Sequence, residues 1–380
     1  MKKLFISIVV ILFATTFSFA QNNETNLAQV GSTNSAQVTQ TGSNQLVGSG
    51  TFASSQYGNN NQATVNQSGS ENTAFFEQGY DAKYNTYPLN TLVYGNNNTA
   101  SFNQSGIKND AWTFSIGSSN NFSVNQNGDQ NSGGSWLWGD NNQGTIGQTG
   151  GSLNDSYIAI NGNGSKSTIT QTGNSNLGYT SQGWTGYNQN GNTASINQVG
   201  DNNKVTIPYP NPDLSGFTSD LDGFGIQQYG NNNYGTASQN GSGNTAGIYQ
   251  FGDNHHSEIN QTGSTNTALV EQASLVGSNN TSNLTQNGDN NSITTIQKNG
   301  SYNVINLTQS GGAEANILQN GSSNIVQGIG ADIMGTSLNG STLDVNQLGS
   351  GNILHLQQTN GANASVMQNG TTNTVLVIQN

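Results

Sequence analysis

The chain has 380 residues, of which 7% are charged and 31% hydrophobic, with 50 glycines, four prolines and no cysteine. Its formal net charge is −12 and all seven basic residues are lysines, which excludes a basic nucleic-acid-binding footprint. Disulfides are excluded too, and the low charge and scarce proline argue against a solvated disordered chain, because uncharged Asn/Gln-rich sequence pairs through β-ladders.

At the N-terminus, Lys2 and Lys3 precede an apolar run from Leu4 to Phe13, and small residues Ser18 and Ala20 stand three and one positions before Gln21. This is the pattern of a secretory signal peptide over residues 1–20, and the run falls short of the ~20 residues a membrane-spanning helix needs. Removal of the two lysines takes the net charge from −12 to −14. A short segment, 21–28, then leads into the repeats.

From Gln29 onward the sequence is periodic. Gly95, Gly106, Gly117, Gly128, Gly139 and Gly150 recur every eleven residues, and Gly230, Gly241, Gly252 and Gly263 keep the same step. Between glycines the unit reads Asn-x-Ala-x-apolar-x-Gln, as in Asn61 to Gln67, Asn98 to Gln104 and Asn192 to Gln198. Residues at i, i+2, i+4 and i+6 share one face of a strand, so Asn, Ala, the apolar residue and Gln point inward while Ser, Thr and Asn face water. The glycine and its neighbours supply a turn. Seven residues of strand and four of turn make a half-coil of eleven, and two half-coils make a coil of about 22 residues. The expected fold is all-β: a β-solenoid with two strands per coil, amyloid-like cross-β stacking at ~4.8 Å and about sixteen coils by length. At this period Gln104, Gln126 and Gln148 form one column and Phe102, Val124 and Ile146 the next. Identical amides one strand apart can hydrogen-bond along the axis, which removes the penalty of burying them.

Three stretches break the period, at 80–93, 204–225 and 327–340, and the first two hold all four prolines. They are expected as loops bulging from turns of the solenoid. Asp129, Asp140, Asp201, Asp253 and Asp289 each follow a turn glycine. They are expected to bond their own turns, since the glycine pattern of calcium-binding β-helix repeats is missing. With three histidines and scattered carboxylates, no catalytic residue, metal site or cofactor site is expected, and the chain reads as a non-enzyme. Phe114 and Trp136 fall in one outward column with Trp112 and Trp138 nearby. Either they form a contact surface, or these degenerate coils flip register and bury them.

The run Gln29-Val-Gly31-Ser-Thr-Asn34-Ser-Ala36-Gln-Val-Thr-Gln40 resembles the repeat of the curlins, Gln-x-Gly-x-x-Asn-x-Ala-x-x-x-Gln, and residues 67–78 and 261–272 match it at every fixed position. The resemblance extends over most of 29–380. It implies a secreted subunit of curli, the extracellular amyloid fibres of biofilm matrix and cell adhesion, exported through an outer-membrane pore and assembled on a nucleator. The sequence departs from that family in placing Asn61, Asn98, Asn120 and Asn192 where its repeat opens with Ser, and in having little before the first repeat. A monomeric solenoid adhesin, binding ice or carbohydrate on a flat face, is the alternative. It would want regular outward Thr columns or capped ends, and the sequence offers neither.

The last unit, Val375, Leu376, Val377, Ile378 and Gln379, is apolar on both faces and carries no charge or proline. An edge left so bare is expected to be where the next subunit or a nucleator adds by β-pairing.

Overall fold

The computed structural model describes residues 22–48, 53–79, 95–183, 189–206, 225–329, 334–359 and 361–379. The expected signal peptide, the stretch at 80–93 and all four prolines lie outside the described residues. The described residues form an all-β solenoid of about 13 turns, with no helix among them. Its described strands form two parallel sheets, sheet I of 17 strands and sheet II of 15. The chain alternates between them: Thr99–Ile107 lies in sheet II, Asp110–Ile116 in sheet I, Asn121–Asp129 in sheet II and Ser132–Trp138 in sheet I.

Alternation of apolar and polar residues sets the register, because a one-residue slip would turn every inward side chain outward. Val124 lies opposite Phe102 on one side and Ile146 on the other, and all three are buried. The core between the sheets is thin and compensates for size locally. Phe122 stands where neighbouring coils place Ala100 and Gly144, and a Cβ on Gly144 would come within 3.0 Å of the Phe122 ring. Phe102 packs between Phe76 and Phe122 with ring centroids 6.2 and 6.1 Å away.

The turns depend on glycine for two reasons. Gly106 has φ +112°, and a Cβ on it would sit 2.0 Å from the carbonyl oxygen of Gly128 in the next coil. A side chain there is excluded by backbone conformation and by the coil above. Two residues after many of these glycines a non-glycine residue also adopts the left-handed region, as at Asn60, Lys108, Ser119 and Asn141.

The coil number is smaller than length suggests because successive inward glutamines are not always 22 apart. From Gln40 to Gln309 the steps are 27, 37, 22, 22, 23, 27, 41, 22, 25 and 23 residues. The extra residues enter in places the period alone mislocates. Lys204–Val205 is a strand of sheet I, and Ile226–Tyr229 continues the same rung beside Thr180 to Gln182. The excursion therefore leaves from the middle of a strand, not from a turn, and spans less than 204–225. Gly225 closes the gap, because a Cβ on it would lie 2.0 Å from the carbonyl oxygen of Val205. Likewise Ile325–Gln327 and Gly335–Leu338 share one rung of sheet II, so within 327–340 Gln327 and Gly335–Leu338 are strand rather than loop. At the N-terminus pairing begins at Glu24–Thr25, inside the segment expected to precede the solenoid. Each rung is fixed by its partner rungs, so a strand can tolerate a break when the pieces on either side keep their partners.

Candidate functional site: the axial ladders and the two open edges

Gln104 Nε2 donates to Gln126 Oε1 at 2.9 Å, and Gln126 Nε2 to Gln148 Oε1 at the same distance. The column runs in sheet II from Gln40 to Gln309, and a second runs in sheet I from Gln182 to Gln368. Every bond has one direction, from the amide nitrogen of one coil to the amide oxygen of the coil nearer the C-terminus. The same Nε2 atoms also donate across the core to backbone carbonyls, as Gln126 does to Asp110 and Asn131. Within the columns buried amides are thus satisfied in both directions, which is what permits so polar an interior, while column ends such as Gln182 Oε1 and Gln309 Nε2 are left without a partner. Phe102, Val124 and Ile146 form the apolar column alongside.

The inward asparagines add backbone bonds to their ladders, in which Nδ2 donates to the Oδ1 of the preceding coil, as Asn131 does to Asn109 at 3.1 Å. Asn98 Oδ1 accepts the backbone N–H of Asn120 at 3.0 Å, and Asn98 Nδ2 donates to the Gly117 carbonyl at 2.8 Å. Each asparagine therefore clamps the turn of the following coil. At one position histidine replaces it. His255 Nδ1 accepts from Asn280 N–H at 3.3 Å, while Nε2 lies 3.2 Å from the Phe251 carbonyl. The ring is 1% exposed, and burial lowers its pKa to about 4.

The turn aspartates reach between coils rather than into their own turns. Asp129 accepts from Ile107 N–H at 2.9 Å, and Asp140, Asp201, Asp253 and Asp289 each accept a backbone N–H of the preceding coil at 2.7 Å. Asn59 and Asn96 fill the same position with the same bond. A carboxylate committed to a neighbouring turn explains why these residues follow the glycines. Among the described residues no group of three or more His, Asp or Glu could hold a metal ion.

Three stretches of the chain match the profile of the curlin associated repeat: residues 55–86, 230–263 and 258–288. The chain carries curlin repeats. No curated protein matches it. In these repeats the glutamine that opens the motif is an axial ladder residue, the glycine a turn residue that the next coil abuts, and the asparagine the clamp.

Among the described residues, the first and last rungs of sheet II are each paired on one side: Ser35–Ser43 with Gln62–Ser70, and Thr374–Gln379 with Ile353–Gln358. Ala36 and Val38 at one end, and Val375 and Val377 at the other, pack against the core yet remain partly exposed. Leu376 and Ile378 face outward, 57% and 52% exposed, and Gln379 accepts from Gln358 as the last amide of its column.

The outward aromatics do not flip. Ala111, Thr113 and Ser115 point inward, and Trp112 and Phe114 lie on the outer face of sheet I beside Trp136, Tyr157 and Tyr179. Under this patch the glutamine column is interrupted, with Ser115, Leu137 and Ile160 between Gln78 and Gln182.

Proposed function

We propose that the mature chain is a secreted structural subunit that assembles into extracellular curli-like amyloid fibres serving biofilm matrix and cell adhesion, and that its role is not enzymatic. The observation that carries this reading is the match between the two open edges. The first described rung runs through sheet I then sheet II, and the last keeps that same order with Asn363–Thr371 and Thr374–Gln379. A second copy can therefore continue both sheets without a change of phase, with Gln40 over Gln379, Gln29 over Gln368, Val38 over Val377 and Asn34 over Asn373. The unpaired strand edges are templates for such addition. The curlin repeats point to a nucleator subunit and an outer-membrane export pore as further partners.

The test is to desalt the chain lacking residues 1–20 from denaturant at micromolar concentration. The expected result is β-structure appearing after a lag, with fibres that give a reflection near ~4.7–4.8 Å along their axis. A monodisperse monomer persisting for days would overturn the reading.

A further inference from the structure

The outer faces of the two sheets differ in chemistry. Sheet II presents Ser101, Ser123, Thr145 and Thr168 in one column and Asn103, Asn125 and Thr170 in the next. Sheet I over the same coils presents Phe75, Trp112, Gly134, Tyr157 and Tyr179 in one column, with Phe114 and Trp136 beside it. Neighbouring ring centroids are 5.5 to 6.4 Å apart throughout.

One residue shows how the surface is built. A Cβ on Gly134 would lie 2.1, 2.4 and 2.5 Å from Trp112 Cε2, Cζ2 and Nε1. Three bonded ring atoms at such similar distances mean that the indole presents its face, not its edge, to Gly134. Trp112 therefore lies flat on the sheet, fills the place of the missing side chain and reaches Tyr157 two rungs away at 5.5 Å. Its opposite face is turned away from the sheet. Trp112, Phe114 and Trp136 are all partly exposed, and Trp138 at the strip's border is 37% exposed.

We infer that this strip binds a neutral polysaccharide chain whose flat, apolar sugar faces stack on the rings, as in an extended β-linked hexose polymer. Five rungs at ~4.8 Å give a strip ~19 Å long, and two columns two residues apart are only ~7 Å across. That is far below the ~800 Å² per partner of a stable protein interface, so a second copy is a poor occupant. Charge points the same way. Glu77, Asp110 and Asp155 lie on the outer face of the same rungs, so two copies face to face would oppose like charges. The same carboxylates repel anionic polymers and can accept hydrogen bonds from sugar hydroxyls. Tyr179 Oη already donates to Asp155 at 2.6 Å, so a hydroxyl at this border is bonded as a sugar hydroxyl would be. The rung spacing is close to the length of one sugar residue in an extended chain, so ring and sugar stay in step over several units.

The experiment measures retention of the mature protein, both freshly desalted and assembled, on insoluble cellulose, with alginate and chitosan beads as the anionic and cationic arms. Tryptophan emission is followed with soluble cello-oligosaccharides. Retention on cellulose is expected to exceed that on alginate and chitosan. It should fall at least tenfold in Phe114→Ser/Trp136→Ser and in Gly134→Ala, which keeps every aromatic but lifts the Trp112 ring off the sheet. Circular dichroism and fibre growth should remain those of the parent, which separates loss of the strip from loss of fold or of assembly. Equal retention by parent and variants, preference for either charged polymer, or variants that alter only fibre bundling would overturn the proposal.

Discussion

His255 occupies a position built for asparagine and reproduces two of its bonds, with Nδ1 as acceptor in place of Oδ1 and Nε2 against the carbonyl four residues back, as Asn233 Nδ2 stands to Tyr229. Protonation would give Nδ1 a hydrogen where it must receive one from Asn280, and would bury a charge with only Asp253 nearby to offset it. The unfolded imidazole titrates near 6.5 and the folded one near 4, so the folded state binds fewer protons between those values. Stability is therefore full above the unfolded value and falls as the pH drops from 6.5 to 4, by an amount of about 3 kcal/mol. Denaturation of the wild type should show this acid-side loss, and His255→Asn should abolish it. An unchanged pH profile in that variant would show that the carboxylates alone govern acid sensitivity. A second residue leaves a ladder incomplete. Ser337 lies between Gln309 and Gln358 in the sheet II column, and Gln309 Nε2, Ser337 Oγ and Gln358 Oε1 are all buried without a partner. Ser337→Gln would join the column and should stabilise the chain by about 1–2 kcal/mol, read as a higher unfolding midpoint. A lower midpoint would mean the site is too small for the longer side chain.

At the scale of the element, the coil is set by turns whose glycines touch the next coil. Gly106→Ala brings a Cβ against the Gly128 carbonyl and strains a left-handed backbone, and should cost about 2–4 kcal/mol. Gly147→Ala is the matched control, since a Cβ there meets nothing within 4 Å on the outer face and should gain about 0.5 kcal/mol. Chemical denaturation of the two variants separates the cases, and equal effects would mean that the stacking of turns is not limiting. The strands and their inward residues were legible in the sequence because alternation and the eleven-residue step are local signals. Gln104, Gln126 and Gln148 fell into one column by counting alone. The inter-coil bonds of Asp129 and Asp140, the left-handed residue after many turn glycines and the mid-strand exits near Val205 and Gln327 were not legible. All depend on how one coil sits on another, and irregular insertions break the arithmetic that would align them. The flat indole over Gly134 was hidden for the same reason: a glycine and a tryptophan 22 residues apart carry no signature until they are stacked.

For the whole molecule, the question is which surfaces are finished and which are not. Interior rungs are paired on both sides, while among the described residues the first and last rungs are paired on one side. The last strand carries the greater apolar exposure, in Leu376 and Ile378. Deletion of residues 371–380, or Lys at both Leu376 and Val377, should lengthen the lag and reduce incorporation into wild-type seeds several-fold, measured with labelled monomer. Unchanged seeding by both would show that growth does not use this edge.

The single direction of the glutamine columns has a consequence for growth. Their stacked amides all donate toward the C-terminal end, whereas the asparagines donate from Nδ2 to the Oδ1 of the preceding coil, as Asn131 does to Asn109, so each end of the solenoid offers a different set of donors and acceptors. Gln368 and Gln379 turn N–H groups toward the C-terminal end, with no further glutamine beyond them, and Gln29 and Gln40 turn oxygens toward the other. The two ends of a glutamine column are therefore unlike: one offers donors and the other acceptors. Copies joined head to tail continue the columns, whereas a copy inserted backwards sets donor against donor or acceptor against acceptor. A stack grown in this way keeps one orientation along its whole length.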